Sequence, residues 1–163
     1  ENLPAVPDDP KRQLANVFIS PFISNPIAVR MEPRVSYSPK IGQYVSCTLY
    51  LDARPLPFSQ DAEGWMNGAI EVLLATFGAN GERVDVRAHT FHVRTRGRTY
   101  RHVLENGLTY IITLPVKKPG PYQVRVAVRD VKSGNVGSAF EFVQIPSASR
   151  NTVKPITNGL SPQ

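Results

Sequence analysis

The chain has 163 residues, 41% hydrophobic and 20% charged, which excludes wholesale disorder and leaves enough apolar surface for one self-sufficient core. Its formal net charge is +6, and no stretch approaches the ~20 apolar residues that span a bilayer, so no membrane span is expected. Fifteen prolines and eleven glycines fall between apolar runs, a spacing that favours many short strands over long helices.

In chain order, "ENLPAVPDDPKR" mixes proline with charge and reads as an arm or linker over residues 1–13, and Glu1 reads as the start of a mature or excised piece. The compact domain is expected over residues 14–146 and a tail over 147–163, where periodicity is lost. "NVFIS" and "IAVRMEP" are short extended pieces broken by Pro21, Pro26 and Pro33. "QYVSCTLYLD" alternates, with Val45, Cys47, Leu49 and Leu51 on one side and Tyr44, Ser46, Thr48 and Tyr50 on the other. Cys47 is the only cysteine, so no internal disulfide can form, and it behaves as a small buried hydrophobe.

"GAIEVLLATF" is apolar on both faces, as a central strand covered twice should be. Asn80-Gly81 suits a tight hairpin because both residues tolerate positive φ, and the next strand sets Val84, Val86 and Ala88 inward. Phe91 and Val93 then have the opposite parity, which predicts a bulge, a bend or a change of sheet near His89. "YRHVLEN" suits one helical turn, and "LTYIITL" resumes alternation with Leu108, Tyr110, Ile112 and Leu114 inward. The pattern as a whole predicts an all-β, Ig-like or fibronectin-III-like antiparallel β-sandwich of about seven to nine strands.

The last hairpin invites an explicit register. A loop of Lys132, Ser133 and Gly134, with Gly134 left-handed, pairs Val131 with Asn135. Val126 then faces Phe140, Val124 faces Phe142, and Arg125 faces Glu141, so the arginines of this hairpin are structural. Gly120-x-Tyr122-x-Val124 has the form of a tyrosine corner. Where immunoglobulin domains place a second cysteine this chain has Val124, which is expected to pack near Cys47; Trp65 lies late for the core tryptophan of that pattern.

The tract "LPVKKPGPYQVRVAVRDVKSGNVGSAFEFVQIP", with its Pro-Gly-x-Tyr opening, "SGNVGSA" turn and final Val-x-Ile-Pro, resembles the C-terminal module of the bacterial VWFA-related proteins abundant in Acidobacteria. "FGANGERV" and "GLTYIITLP" fit its upstream part, and the resemblance covers residues 40–146. It implies an exported protein, periplasmic, surface-bound or secreted, in which a β-sandwich follows a von Willebrand A domain. The Asp-x-Ser-x-Ser metal motif of that A domain does not occur here, so its adhesion chemistry does not carry over.

For function, six arginines against the single acid Asp85 give residues 83–101 a net charge of +5. Arg94, Arg96, Arg98, Tyr100 and Arg101 are the candidate contact residues, on a strand and the turn that Gly97 permits. The ordinary role of such a run is a solvated strand face that resists aggregation. Its functional use would be to meet an acidic protein or a neighbouring domain of the same chain, or else an anionic polymer. Nucleic-acid proteins usually add aromatic platforms or a known module, and neither is visible, so nucleic acid is not the expected partner.

The rival reading is a hydrolase or metal-binding domain built from His89, His92, Asp61 or Glu63. Residues three apart on a strand face opposite sides, and zinc wants three or four convergent ligands, so the histidines point to surface positions. "SQDAEGW" supplies too few oxygens for calcium and reads as a solvated loop. No Gly-x-Ser-x-Gly, phosphate loop or cysteine with a nearby histidine occurs, so no catalytic residue, metal or cofactor is expected. A noncatalytic interaction or spacer module is the reading that remains.

Overall fold

The structure is a computed structural model that describes residues 9–19 and 26–147. Most of the expected arm (residues 1–8) and of the expected tail (148–163) therefore lie outside the described residues. The order of elements is α1 (Pro10–Ile19), β1 (Val29–Ser38), β2 (Gly42–Leu51), β3 (Ser59–Gln60), β4 (Met66–Phe77), β5 (Arg83–Thr95), α2 (Gly97–Asn106), β6 (Leu108–Pro115), β7 (Gly120–Asp130) and β8 (Val136–Ile145).

Antiparallel pairing sorts the strands into two sheets, β1-β2-β6 and β3-β4-β7-β8 with β5 on the far edge of β4. Eight strands in two antiparallel sheets make an all-β sandwich of the Ig-like and fibronectin-III-like kind. The period-2 pattern sets the interior. Val45, Cys47, Leu49 and Leu51 of β2 meet Ile70, Val72 and Leu74 of β4 and Val124, Val126 and Val128 of β7 in one buried cluster. Each such side chain contributes about 1.5–3 kcal/mol on burial. The Tyr122 hydroxyl donates to the Lys118 carbonyl at 2.9 Å, tying the start of β7 to the loop before it.

Three sequence expectations are corrected. The first concerns the parity change near His89. Strand β5 runs from Asp85 to Thr95 in unbroken register with β4, and the irregularity lies at Thr76/Phe77 instead. No bend is needed because sheet β5-β4-β7-β8 is covered on both faces. Phe91 packs against the main core, whereas Val86 joins a second cluster built on Leu14, Ala75 and Ala127. That second cluster depends on α1, which was expected as arm to residue 13 followed by an extended piece. Asp9-Pro10 is a good helix start, because proline at the first helical position has its φ already set. Leu14 and Val17, three apart, then share one helix face against the sheet.

The second correction is the β7–β8 register. Val124 pairs with Glu141, Arg125 with Phe140 and Val126 with Ala139, one residue away from the expected alignment, so Arg125 does not face Glu141. The loop takes four residues: Asp130 N–H donates to Asn135 O at 2.9 Å, and Gly134 N–H, with φ 73°, donates to Asp130 O at 2.9 Å. The buried Asp130 carboxylate holds this wider turn by accepting from Ser133 N–H and Oγ, both at 2.6 Å. Gly137 fixes the same alignment from the other side, since an added Cβ there would overlap the Ile27 carbonyl oxygen. Phe140 and Phe142, expected inward, are 41% and 71% exposed on the outer face.

The third is the turn after β4. It is a three-residue loop closed by Gly78 N–H to Glu82 O at 2.9 Å, in which Gly81 takes φ 77° and Asn80 keeps a negative φ.

Candidate functional site

The end of the sandwich where β5 passes into α2 gathers the candidate residues. Its floor is the β3–β4 hairpin. Asp61 N–H donates to Trp65 O at 2.9 Å and Gly64 N–H donates to Asp61 O at 3.0 Å, closing a three-residue loop with Gly64 at φ 80°. The Asp61 carboxylate organises the loop from within. Oδ1 accepts from Trp65 N–H at 2.8 Å and Glu63 N–H at 3.1 Å; Oδ2 accepts from Asn67 Nδ2 at 3.1 Å and Arg94 at 3.4 Å. The Trp65 N–H, with the Asn67, Glu63 and Arg94 donors behind it, holds the Asp61 carboxyl below the usual carboxylate range.

Pairing of β4 with β5 puts Arg94 opposite Asn67, and hence over this loop. Arg94 donates to Glu63 at 3.1 Å, and its guanidinium carbon lies 4.5 Å from the Trp65 ring centroid. Arg96, two residues on, lies 4.3 Å from the same centroid. Buried Thr95 between them fixes the parity that brings both to the ring. A tryptophan face carrying two guanidiniums is a cation–π ledge.

Gly97, with φ 56°, turns the chain into α2. The helix lays Val103 against the main core and sets the Tyr100 ring edge-on to Phe58, 5.3 Å between centroids. Arg98 and Arg101 are left exposed. Tyr100, one of the candidate contact residues, thus seats the helix on Phe58. The first turn of α2 holds no acid, and its N-cap residue Arg96 makes no side-chain cap. Arginines here oppose the helix dipole, at about 0.3–1 kcal/mol each, and so do not serve the stability of α2. Among the described residues, no carboxylate lies within ion-pair distance of Arg96, Arg98 or Arg101. The helix ends at Gly107, whose φ of 76° and whose fit against the Leu51 carbonyl both require glycine.

Of the predicted contact residues, the structure therefore joins Arg94 and Arg96 on Trp65 and carries Arg98 and Arg101, both exposed, on the helix that follows. Trp65 itself was missed as a site residue. The signal that could have found it is the pairing of an acidic loop with an arginine-rich strand one hairpin away.

The rival set does not converge. His89 and His92 occupy opposite faces of β5, and Asp61 and Glu63 are engaged by Arg94. Among the described residues, no group of three or more His, Cys, Asp or Glu side chains is placed to hold a metal. A hollow of about 390 Å³ beside His89 is lined by Leu14, Leu73, Ala88 and Thr90 with Glu71, and a hollow of about 480 Å³ by Phe77, Pro121, Arg125 and Phe142. The Cys47 thiol is pushed up to about 12 by burial and is chemically inert. No helix among the described residues is long and apolar enough to cross a membrane.

No family model matches the sequence, and no curated protein does. Among solved structures, the chain is similar to a β-glucuronidase of Bacteroides uniformis, with 13% identity and a TM-score of 0.43 over 75% of this chain and 13% of that one. A calcium-binding mutant of β-glucuronidase 2 from the same organism is similar over the same shares, at 13% identity and a TM-score of 0.42. The chain thus spans 13% of the length of each of these enzymes.

Proposed function

We propose that this domain is a noncatalytic interaction module whose contact surface is Arg96, Arg98 and Arg101, backed by the Arg94–Trp65 ledge. Its partner presents carboxylates, on another protein or on a neighbouring domain of the same chain. The observation that carries this reading is that three exposed arginines, at the N-cap and the second and fifth positions of α2, have no acid within ion-pair distance among the described residues, and that the first two oppose the helix dipole. The wider context is an exported bacterial protein of the VWFA-related kind, a reading supported by the tract from Leu114 to Pro146.

Immobilised poly-L-glutamate, heparin and duplex DNA, each over a salt series, test it. Poly-L-glutamate should retain the domain best, with retention falling as salt screens the contact. The charge reversal R96E/R98E/R101E should weaken retention on the order of tenfold or more. Equal retention of the reversed variant would contradict the assignment. Stronger retention on heparin or DNA than on polyglutamate would replace the protein partner with an anionic polymer.

A further inference from the structure

The geometry points to β5 as a docking edge that receives an extended acidic segment of a partner polypeptide as an added strand. This rests on the reading of the arginine rim given above and specifies how the partner is held.

Direction of the backbone groups decides which residues are available. The Ala69 carbonyl accepts from Val131 N–H at 3.0 Å, on the β7 side, and the Trp65 carbonyl accepts from Asp61 N–H at 2.9 Å, on the β3 side. Neighbouring residues of a strand alternate, so the even-numbered residues of β4 address β5. Gly78 N–H reaching Glu82 O at 2.9 Å agrees. Ile70, Val72 and Leu74 are the partners of Phe91, His89 and Arg87. Those three residues therefore bond to β4, and the N–H and C=O groups of Ala88, Thr90 and His92 point away from the sheet, as do those of Val86, whose N–H donates to Asp85 Oδ1 at 2.9 Å.

The other edges are guarded. Strand β1 carries Pro33 mid-strand, β6 has 8 residues and ends in Pro115, and the first residue of β8 is engaged by Ile27 N–H donating to Val136 O at 3.2 Å. Strand β5 has 13 residues, contains neither proline nor glycine, and keeps its register from Asp85 to Thr95. Such an edge is a template for strand addition. Charge selects the occupant. Residues 83–101 carry a net +5, so a second copy of β5 would set two such windows side by side, whereas a strand bearing alternate carboxylates complements them.

The test uses a capped nine-residue peptide alternating Glu with Thr and Val, added to ¹⁵N-labelled protein. At saturation the amides of Ala88, Thr90 and His92 should exchange at least tenfold more slowly, while those of Arg87, His89 and Phe91 stay as they were. The same peptide N-methylated at alternate backbone nitrogens keeps its charge and should bind at least tenfold more weakly. Thr90→Pro should lose affinity to a similar degree with an unchanged melting temperature, since that N–H bonds nothing in the sheet; the N-methyl comparison decides the matter if the variant does not fold. Equal affinity for the N-methylated peptide would overturn strand addition and leave the rim contact standing. Failure of every peptide form to bind at low salt would remove both. Slow exchange of these three outward amides without peptide would show β5 pairing with itself and would overturn the acidic occupant.

Discussion

Two pairs of arginines, four residues apart on β7 and two apart at the end of β5, each keep one parity in the same sheet, and they do opposite things. Arg125 and Arg129 lie on β7, a central strand with β4 on one side and β8 on the other. Each finds a neighbour at once: Arg129 meets Glu71, its direct cross-strand partner, at 3.0 Å, and Arg125 lies 5.1 Å from the Phe77 ring centroid and donates to Gln123 at 2.8 Å. Arg94 and Arg96 continue an edge strand. There Arg94 is held by a loop, and Arg96 with the two helix arginines beyond it has no acid within reach among the described residues. Periodicity alone does not separate a structural arginine from one held out for a partner. What separates them is whether strands flank the position on both sides.

The comparison breaks most easily at Arg129. Its side chain is 12% exposed and Glu71 is 32% exposed, so truncating the arginine strands a half-covered carboxylate. Arg129→Ala should cost about 2 kcal/mol in chemical denaturation, a buried-pair loss reduced for the solvent that still reaches Glu71. Glu71→Ala should cost nearly as much, and the double variant should fall short of the sum by about 1 kcal/mol. Additive losses would mean that the two side chains act independently.

A smaller effect, with a defined pH dependence, is expected at Asp61. Its folded pKa lies below the ordinary aspartate value of about 3.9. The stability it contributes is therefore complete above that value and fades as pH falls through the lower folded one. Asp61→Asn should destabilise the domain at neutral pH, and its deficit against the native chain should close as pH drops below about 4. Fluorescence of Trp65, the single tryptophan, reads the loop directly and should shift to the red in the variant. A deficit that stays constant down to pH 2 would remove the carboxylate from that role.

Much of the sandwich could be read from two-residue alternation. Val45 to Leu51 of β2, Ile112 and Leu114 of β6, and Tyr122 to Val128 of β7 point where their parity said. Parity misled where the covering element was distant in sequence. Val86 and Phe91 belong to different cores because α1 lies on the far face, and a helix of 10 residues that begins at a proline leaves little periodic signal. The β7–β8 alignment was off by one because two contacts no local pattern reveals decide it. One is the Asp130 carboxylate, which widens the turn; the other is the Ile27 carbonyl, which leaves no room beside Gly137. At the candidate site the arginines were visible as a charge window, whereas Trp65 was not, because only the pairing of β4 with β5 brings Asn67, and with it the Asp61 loop, beside Arg94.

If the rim arginines serve a partner, the fold should not need them. Thermal unfolding of R96A/R98A/R101A is the most direct measurement. Exposed arginines without an ion pair change stability by no more than about 0.5 kcal/mol each, the Arg96–Trp65 contact adds about 0.5–1 kcal/mol, and removing positive charge from the start of α2 should offset part of the loss. The melting temperature is expected to stay within about 3 °C of the native chain. A fall of ten degrees or more would show that these arginines hold the domain together, and the account of an arginine rim reserved for a carboxylate-bearing partner would be wrong.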